Sequence, residues 1–326
     1  MVLVSVILPC YNSETTIASA IQSILNQTFS DFELIIVDDA STDNSIAVVK
    51  SFDDSRIKLI QQKENGGYPV AMNAGISIAT GKYIARMDGD DISAPTRLEK
   101  QLKILKENSS ASFCGTDRFR ILPSGKMFID KKMGNRDLKW ESYNDLLDGK
   151  RTFTDASVMI IKEKVLNVGG YRTFQRSGMD VDIWLRVMEK FGDNVTITEP
   201  LYGRTLDPHS LVFKPQTFLI NQVPRVLAMQ RIEFGTDDVQ AGKGVRIDEY
   251  VKKGLIKTAN NAGIELLMGT AATCIWLGDW RGARLYYRKI KSIQKLSIVK
   301  QVKIVFMIAR KLIQRIRNSP YQELKF

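Results

Sequence analysis

The strongest constraint on the fold is a regular alternation of apolar strands and amphipathic helices near the start of the chain. The strand-like runs are VLVSVIL, FELIIVD, IKLIQQ and KYIARMD, and the helix-like segments between them are SETTIASAIQSILNQ, SIAVVKSF and GYPVAMNAGISIAT. Such alternation predicts an α/β fold with a parallel sheet covered by helices. Ligands of these folds bind at the carboxyl ends of the strands.

Composition and processing signals restrict the class of protein. The chain has 326 residues, of which 44% are hydrophobic, so it is long enough to bury one large core or two modest ones. Cys10, Cys114 and Cys274 lie far apart without metal-ligand spacing, which favours reduced thiols. The first residues show no export signal, so a cytoplasmic location is expected.

The positive charge is concentrated at one end of the chain. From Arg281 onward there are thirteen Lys or Arg and one acid, Glu323, so this segment carries a charge of +12. The net charge of the whole chain is +11, so the residues before Arg281 carry about −1. Its apolar residues recur among the cations at helical spacing, which predicts a basic amphipathic helix. Such a helix either lies on an anionic membrane surface or packs on the protein itself. Nucleic acid is not expected as a partner, because no aromatic stacking platform or groove-reading motif accompanies the charge.

Acidic residues follow two of the predicted strands and begin a later helix, MDVDIWLRVMEKF. These residues are Asp38 and Asp39, then Asp88, Asp90 and Asp91, and finally Asp180 and Asp182. The first two groups are expected to share one cleft, since neighbouring parallel strands end at the same sheet edge. An Asp-x-Asp turn offers the hard oxygen ligands that Mg²⁺ or Mn²⁺ prefers. The alternative is a solvated acidic turn in which Asp91 caps the next helix.

Two common phosphate-binding motifs are absent. The segment GISIATGK is not a P-loop, because Gly75 and Gly81 are spaced too widely and Tyr83 stands where a Ser or Thr is required. The turn after the first strand reads PCYNSE and has no G-x-G-x-x-G pattern, which disfavours a dinucleotide dehydrogenase. Phosphates would therefore have to be held through a metal ion.

Four blocks in order resemble the family 2 glycosyltransferases of the GT-A fold, over roughly residues 3 to 210. They are VSVILPCYNSE, FELIIVDDASTD, ENGGYPVAMNAGISIATGKYIARMDGDDISAPTRLEKQ and VGGYRTFQRSGMDVDIWLRV. The resemblance implies a GT-A domain over 1–214, with a nucleotide-binding half at 1–96 and an acceptor half at 97–214. A helical region over 215–326, which lies outside the resemblance, would follow. The fold expected is a Rossmann-like, mostly parallel sheet flanked by helices.

The resemblance also implies a nucleotide site. Pro9 and Tyr11 would line the base pocket, and Asp39 would hydrogen-bond the base with Asp38 beside it. Asp88 and Asp90 correspond to the family's D-x-D, with Asp90 as the direct ligand of Mn²⁺ or Mg²⁺ and Asp88 also near the nucleotide. The alternative for Asp38 and Asp39 is that they cap the helix that follows.

The family pattern further implies that Asp180 is the general base of an inverting, single-displacement transfer. The alternative is a helix N-cap, with Asp182 as an acid of the first turn. His209 lies where some relatives supply a late metal ligand, although a lone histidine is more often a surface or capping residue. The chain departs from the common pattern at Met179, Asp155 and Met72, which argues against transferring any particular relative's donor sugar.

Several other residues in these blocks are expected to have structural rather than catalytic roles. Arg86 and Arg97 are expected to be partners of the acidic cluster or to stabilise the sheet edge, and Trp184 is expected in the core. Gly169 and Gly170 predict a turn with positive φ.

Together these observations predict a membrane-associated inverting glycosyltransferase. It would move a sugar from a nucleotide donor, most simply a UDP-sugar, to a hydroxyl of a glycan or lipid-linked acceptor in cell-surface polysaccharide synthesis. A nucleotidyltransferase of the same fold is disfavoured, because its Gly-rich, Lys-bearing N-terminal signature is absent. A non-catalytic scaffold that binds sugar nucleotides at the membrane surface remains the alternative.

Overall fold

A computed structural model describes most of the chain. The described residues are 2–130, 138–150, 153–174, 177–207, 215–256, 267–268, 270–271, 273–275, 278–293 and 321–324. The chain divides into two compact units. The first comprises residues 1–118, 135–204 and 223–246, and the second comprises residues 119–134, 205–222 and 247–326.

The strands follow the expected order through the fourth. They are β1 (Val4–Cys10), β2 (Phe32–Asp38), β3 (Ile57–Gln61), β4 (Tyr83–Arg86), β5 (Ile92–Ser93), β6 (Cys114–Ile121), β7 (Met127–Asp130), β8 (Leu138–Glu141), β9 (Met159–Ile161), β10 (Asn194–Thr205) and β11 (Tyr321–Leu324). The labelled helices are α1 (Ile17–Leu25), α2 (Ser45–Lys50), α3 (Tyr68–Ile78), α4 (Arg97–Glu107), α5 (Tyr143–Leu147), α6 (Lys162–Asn167), α7 (Met179–Phe191), α8 (Pro215–Ile220), α9 (Val223–Phe234) and α10 (Ile247–Lys252). A further helix spans Trp280–Ile293.

The sheet of the first unit is mixed, and its parallel part lies in the half that is predicted to bind the nucleotide. β3, β2, β1 and β4 lie side by side and are all parallel. Strands β9 and β6 continue the sheet in antiparallel pairings, and β10 pairs antiparallel with β5 and β8. Every residue of β1 and β2 is buried, as expected where helices cover both faces of a parallel sheet. The α/β fold class is confirmed.

The strand register places the carboxyl ends of β1, β2 and β4 on the same side of the sheet. Cys10, the last residue of β1, pairs with Asp38, the last residue of β2, and Ile7 of β1 pairs with Arg86 of β4. The chain segments that follow these strands therefore leave the sheet at one edge. The core beneath this edge combines Ile7, Ile35 and Ile84 of the sheet with Met72 of α3 and Trp184 of α7. Trp184 is 1% exposed, which confirms its expected core position.

A buried carboxylate ties the strands of this half together at the other end of β2. Glu33 accepts hydrogen bonds from Ser5 Oγ at 2.6 Å and from the N and Oγ1 of Thr80 at 2.7 Å, and it pairs with Lys58 Nζ at 2.6 Å. Burial alone would raise the pKa of this carboxyl. The hydrogen bonds from Lys58, Ser5 and Thr80 outweigh burial and lower the pKa to about 2.

Glu33→Gln is expected to lower the free energy of unfolding by about 2–3 kcal/mol at neutral pH. The folded pKa lies below the ordinary value of 4.5, so the stabilisation is present above that value and is lost as the pH falls toward 2. Urea unfolding of the wild type and the variant at several pH values measures the difference, with exposed Glu64→Gln as the control. A difference that does not shrink on acidification would contradict this account.

The second unit has its own core. Phe128 of β7 packs there with Leu122, and Ala283, Tyr286 and Ile290 contribute one face of the helix Trp280–Ile293. Strand β11 pairs antiparallel with β7. Most of the basic segment, residues 294–320, lies outside the described residues, and so does His209. None of the helices in the described ranges combines the length and apolarity that a bilayer crossing requires.

Candidate active site

The loops after β1 and β2 form the predicted nucleotide side of the site. Pro9 is buried at the end of β1, whereas the side chain of Tyr11 is 49% exposed. Asp38 is 1% exposed, and its carboxylate accepts a hydrogen bond from the backbone N–H of Ser41 at 3.1 Å. The loops are joined by Asn12, whose N–H donates to Ser41 Oγ at 2.9 Å. An exposed aromatic ring therefore stands beside a fixed acidic turn.

Asp39 organises the start of α3. Its two carboxylate oxygens each accept a backbone N–H, from Gly66 and Gly67, both at 2.9 Å. Neither Asp38 nor Asp39 caps α2, whose N-cap residue is Asn44. The capping alternative is therefore wrong for this helix. Each carboxylate oxygen can accept more than one hydrogen bond, so the base-binding role of Asp39 stays a prediction.

The acidic cluster after β4 is compact. Asp88, Asp90 and Asp91 each offer a carboxylate oxygen, and these oxygens lie within 4.8 Å of one another. Asp90 is exposed, Asp88 is partly exposed, and Asp91 is 5% exposed. Three hard oxygen ligands this close fit a divalent cation such as Mg²⁺ or Mn²⁺. Asp91 does not cap α4, whose N-cap residue is Thr96, so the capping part of that alternative is wrong, while the metal site stays a prediction.

The buried residues Tyr202 and Arg97 lie next to this acidic cluster. The backbone N–H of Asp88 donates to Tyr202 Oη at 3.1 Å, and Arg97 lies 5.4 Å from the centre of the Tyr202 ring. Burial lowers the pKa of Arg97 to about 10, although Tyr202, Asp88 and Asp91 partly offset it. Arg97 therefore remains cationic at neutral pH, as expected for a partner of the acidic cluster.

Arg86, at the end of β4, joins the two acidic groups of the site. Its Nη1 lies 2.8 Å from Asp180 Oδ1, and its Nη2 lies 3.7 Å from Asp88 Oδ1. Its Nε donates to Tyr68 Oη at 2.8 Å, and Nη2 also donates to this hydroxyl. The side chain is 2% exposed. Burial would lower the pKa of Arg86, but Asp180 and the other surrounding groups raise it well above its ordinary value.

Asp180 lies in the first turn of α7. The N-cap residue of this helix is Gly178, with a φ of 75°, and no side chain caps the helix. The alternative that Asp180 is an N-cap is therefore wrong. Its side chain is 24% exposed, so it is paired with Arg86 and also accessible from solvent. This combination suits a carboxylate that receives a proton from a bound acceptor.

A network of buried ion pairs holds α7 in place behind Asp180. Asp182 is 2% exposed and pairs with Arg186 at 2.8 Å. Arg172 lies 3.5 Å from Asp182 and 2.8 Å from Asp237, which also pairs with Arg231. Asp237 and Arg172 could not be found from the sequence, because nothing in the local pattern indicates that these two residues meet.

The loop before α7 is fixed by the same helix. Gly169 and Gly170 have φ values of 77° and 68°, which confirms the expected turn. Arg186 donates to the carbonyl of Gly170 at 2.8 Å. A Cβ on Gly170 would also lie only 2.8 Å from Asn73 Oδ1, so glycine is required there for two reasons.

The structure shows where the residues that depart from the family pattern lie. Met72, where relatives often carry a basic residue, is fully buried in the core of the first unit. Asp155 begins a short 3₁₀ turn, Asp155–Ser157. Met179 is the first residue of α7 and packs partly buried against the core. His209 lies outside the described residues, so its assignment as a metal ligand stays a prediction.

Comparison with known proteins decides the family. The profile of glycosyl transferase family 2 matches residues 5–170. The chain belongs to this family. It is 34% identical to EpsE of Bacillus subtilis, named as a glycosyltransferase, over 70% of this chain and 81% of the relative. It is 31% identical to WfgD of Escherichia coli, a UDP-Glc:alpha-D-GlcNAc-diphosphoundecaprenol beta-1,3-glucosyltransferase, over 57% of this chain and 70% of the relative.

Solved structures support the fold. The crystal structure of S. aureus TarS 1-349 matches with a TM-score of 0.56 and 16% identity, covering 91% of this chain and 93% of that chain. The complex of TarS 1-349 with UDP matches with a TM-score of 0.54 over the same shares. The fold of this family 2 glycosyltransferase is thus the expected GT-A arrangement of a central sheet flanked by helices.

Proposed function

We propose that this family 2 glycosyltransferase transfers a sugar with inversion from a UDP-sugar to a hydroxyl of a glycan or lipid-linked saccharide in polysaccharide synthesis. The observation that carries the proposal is the position of Arg86 between Asp88 and Asp180. One guanidinium in contact with both residues brings the acidic cluster and the accessible carboxylate of α7 into a single site. A donor-binding group and a base can therefore act on the same sugar.

The donor would bind at the ends of β1, β2 and β4. Pro9 and Tyr11 would hold the base, and Asp39, kept in place by the Gly66 and Gly67 amides, would accept a hydrogen bond from it. Asp88 and Asp90, with Asp91 beside them, would hold Mn²⁺ or Mg²⁺. Such an ion supplies charge neutralisation for a diphosphate leaving group.

Asp180 would act as the general base on the acceptor side. Its carboxylate takes the proton from the acceptor hydroxyl while the oxygen of that hydroxyl forms a bond to the anomeric carbon. The bond from this carbon to the diphosphate oxygen breaks in the same step, and UDP leaves with the bonding electrons. Attack opposite to the leaving group inverts the anomeric configuration. Arg86, whose Nη1 lies 2.8 Å from Asp180 Oδ1, holds this carboxylate in position for the step.

The relatives support the choice of substrates. WfgD is named for a UDP-glucose donor and a diphosphoundecaprenol-linked acceptor. TuaG of Bacillus subtilis, 33% identical over 60% of this chain, is named for teichuronic acid biosynthesis. TarS has been crystallised with UDP and with UDP-GlcNAc. The UDP-linked donor is supported by the name of WfgD and by the TarS complexes, and the lipid-linked acceptor by the name of WfgD alone.

The test is release of UDP from a panel of UDP-sugars, with dTDP- and GDP-sugars as comparisons, in the presence of Mn²⁺ and saccharide acceptors. We expect turnover with at least one UDP-sugar, and a product of inverted anomeric configuration by NMR. Nucleotide binding without turnover on any acceptor would favour the non-catalytic scaffold instead. Turnover with retained configuration would contradict the single displacement.

We also propose that the helix Trp280–Ile293 binds an anionic membrane surface, where a lipid-linked acceptor would be found. The side chain of Trp280 is 70% exposed, and Arg281, Arg284 and Arg288 are exposed beside it. They line a cleft of about 740 Å³ with apolar residues that include Ile275 and Leu285. Tryptophan is favoured at membrane interfaces, and each cation near anionic lipid contributes about 1 kcal/mol.

The double variant Arg284→Glu and Arg288→Glu is expected to weaken binding to vesicles rich in phosphatidylglycerol by at least about tenfold, since two cations become anions. Vesicle flotation measures this, with pure phosphatidylcholine vesicles as the neutral comparison. The matched control carries the same charge change on exposed residues of the second unit, Lys252→Glu and Lys253→Glu. Equal losses in both double variants would show a general charge effect and contradict binding by this face.

A further inference from the structure

We propose that Arg86 is a positioning residue of the transfer reaction, which orients the carboxylate of Asp180 and balances the charge of the acidic cluster. The proposal rests on the function proposed above for Asp180. From the sequence, Arg86 is expected only to be a partner of the acidic cluster or a support of the sheet edge. Its contact with Asp180, 94 positions further along the chain, is a property of the folded protein.

The three nitrogen atoms of the Arg86 guanidinium contact different groups of the site. Nη1 lies 2.8 Å from Asp180 Oδ1, while Nη2 lies 3.7 Å from Asp88 Oδ1. Tyr68 Oη accepts from Nε at 2.8 Å and itself donates to Asp88 Oδ1 at 3.3 Å. The planar fork of arginine can serve these positions together, whereas the single ammonium of lysine cannot.

Aromatic rings restrict the orientation of this guanidinium. Its central carbon lies 5.0 Å from the ring centre of Tyr68, 6.0 Å from that of Tyr171 and 5.8 Å from that of Trp184. Tyr171 is fixed by Asn73, which donates to its carbonyl at 2.7 Å and accepts from its N–H at 2.9 Å. Rings from α3, α7 and the preceding loop thus surround the cation, so its direction toward Asp180 is set by the fold.

The contacts of Arg86 with Asp88 and with Asp180 should affect metal binding and sugar transfer in opposite directions. A positive charge 3.7 Å from Asp88 competes with any cation bound by the acidic cluster, so removing it should strengthen metal binding. The same guanidinium holds the carboxylate of Asp180 in one orientation, so removing it should slow transfer. An arginine that only stabilises the fold would not produce these opposite effects.

Two substitutions separate the consequences. Arg86→Lys keeps one charge and is expected to lower kcat about 10- to 100-fold, with the Kd for UDP changed less than about threefold. Arg86→Met removes the charge and is expected to bind Mn²⁺ about three- to tenfold more tightly, measured by calorimetry at saturating UDP, while kcat falls further. Arg56→Lys, an arginine paired with Asp54 away from the site, is the control for a general effect of an arginine-to-lysine change.

A double-mutant cycle tests whether Arg86 acts through Asp180. In an Asp180→Asn background, Arg86→Lys should lower kcat by less than about threefold, because the group it positions is already lost. A full multiplicative loss would overturn the proposal, and so would an Arg86→Lys enzyme that keeps more than about a third of wild-type kcat. Weaker Mn²⁺ binding by folded Arg86→Met would overturn the charge-balancing part. If Arg86→Met does not fold, the lysine variant and the cycle still decide the positioning role.

The same cycle distinguishes this proposal from the proposed function. If Asp180→Asn alone keeps wild-type turnover, the function proposed for Asp180 fails. If Asp180→Asn is inactive while the loss from Arg86→Lys is independent of it, only the positioning role fails.

Discussion

Replacing Asp180 with Asn is expected to lower kcat by about 10²- to 10⁴-fold while the Kd for UDP stays nearly constant. Asparagine keeps the shape of the side chain and an oxygen for Arg86, but its amide cannot take the acceptor proton. Asp180 lies on α7, and the predicted nucleotide contacts lie on β1, β2 and the turn after β4, so donor binding should survive. Initial rates of UDP release with acceptor, together with calorimetric titration of UDP, measure the two quantities.

The control for this experiment is Asp54→Asn. Asp54 pairs with Arg56 at 2.7 Å, and neither residue contacts the site residues described here. Its kcat should match that of the wild type. An Asp180→Asn protein that turns over normally would assign the proton transfer to another group. A protein that loses UDP binding and turnover together would indicate a role in donor binding.

The second large effect is expected for Asp90→Asn. This substitution removes one of three carboxylates whose oxygens lie within 4.8 Å of one another. Metal ions contribute several kcal/mol to stabilising charge in such reactions, so kcat/KM should fall by about 10²- to 10³-fold. The thermal stabilisation that UDP and Mn²⁺ together give the wild type should also be lost, because a ligand raises apparent stability only when it binds the folded state.

Asp90 is exposed, so its removal should leave the unliganded melting temperature nearly unchanged. That comparison separates a binding defect from unfolding, and Asp54→Asn again provides the control. Full retention of the shift produced by UDP with Mn²⁺ in Asp90→Asn would remove this residue from the predicted metal site. Asp88 and Asp91 would then have to be tested in the same way.

The sequence predicts the first four strands of the fold well because their signals are local. Apolar runs separated by helical patterns place β1 to β4 correctly, and the rule that ligands lie at strand ends selects Asp38, Asp39 and the cluster after β4. The later strands were less predictable. β9 and β10 pair antiparallel with partners far away in sequence, and no short pattern encodes such pairings.

The site was predictable as a set of residue types, but its internal contacts were not. The alternatives for Asp39, Asp91 and Asp180 were helix caps, and the caps proved to be Asn44, Thr96 and Gly178. Short acids suit caps and ligand sites equally well, so composition alone cannot separate these roles.

Contacts between residues far apart in the chain could not be predicted from the sequence, for a related reason. Asp182 and Asp237 are joined through Arg172, and Arg86 reaches Asp180 across the site. These pairs depend on tertiary packing, such as that of α7 against α9. Tertiary packing of this kind leaves no periodicity in a single sequence, so only the folded structure identifies Arg86 as the residue that joins the two acidic groups.

Calorimetric titration of UDP into the wild-type protein, once with Mn²⁺ and once with EDTA, tests the central claim most directly. The account predicts saturable binding with Mn²⁺ and a Kd at least about tenfold weaker with EDTA, since the carboxylates of the acidic cluster would then repel the diphosphate. Equal affinity under both conditions, or no binding under either, would contradict a metal-held nucleotide at Asp88 and Asp90.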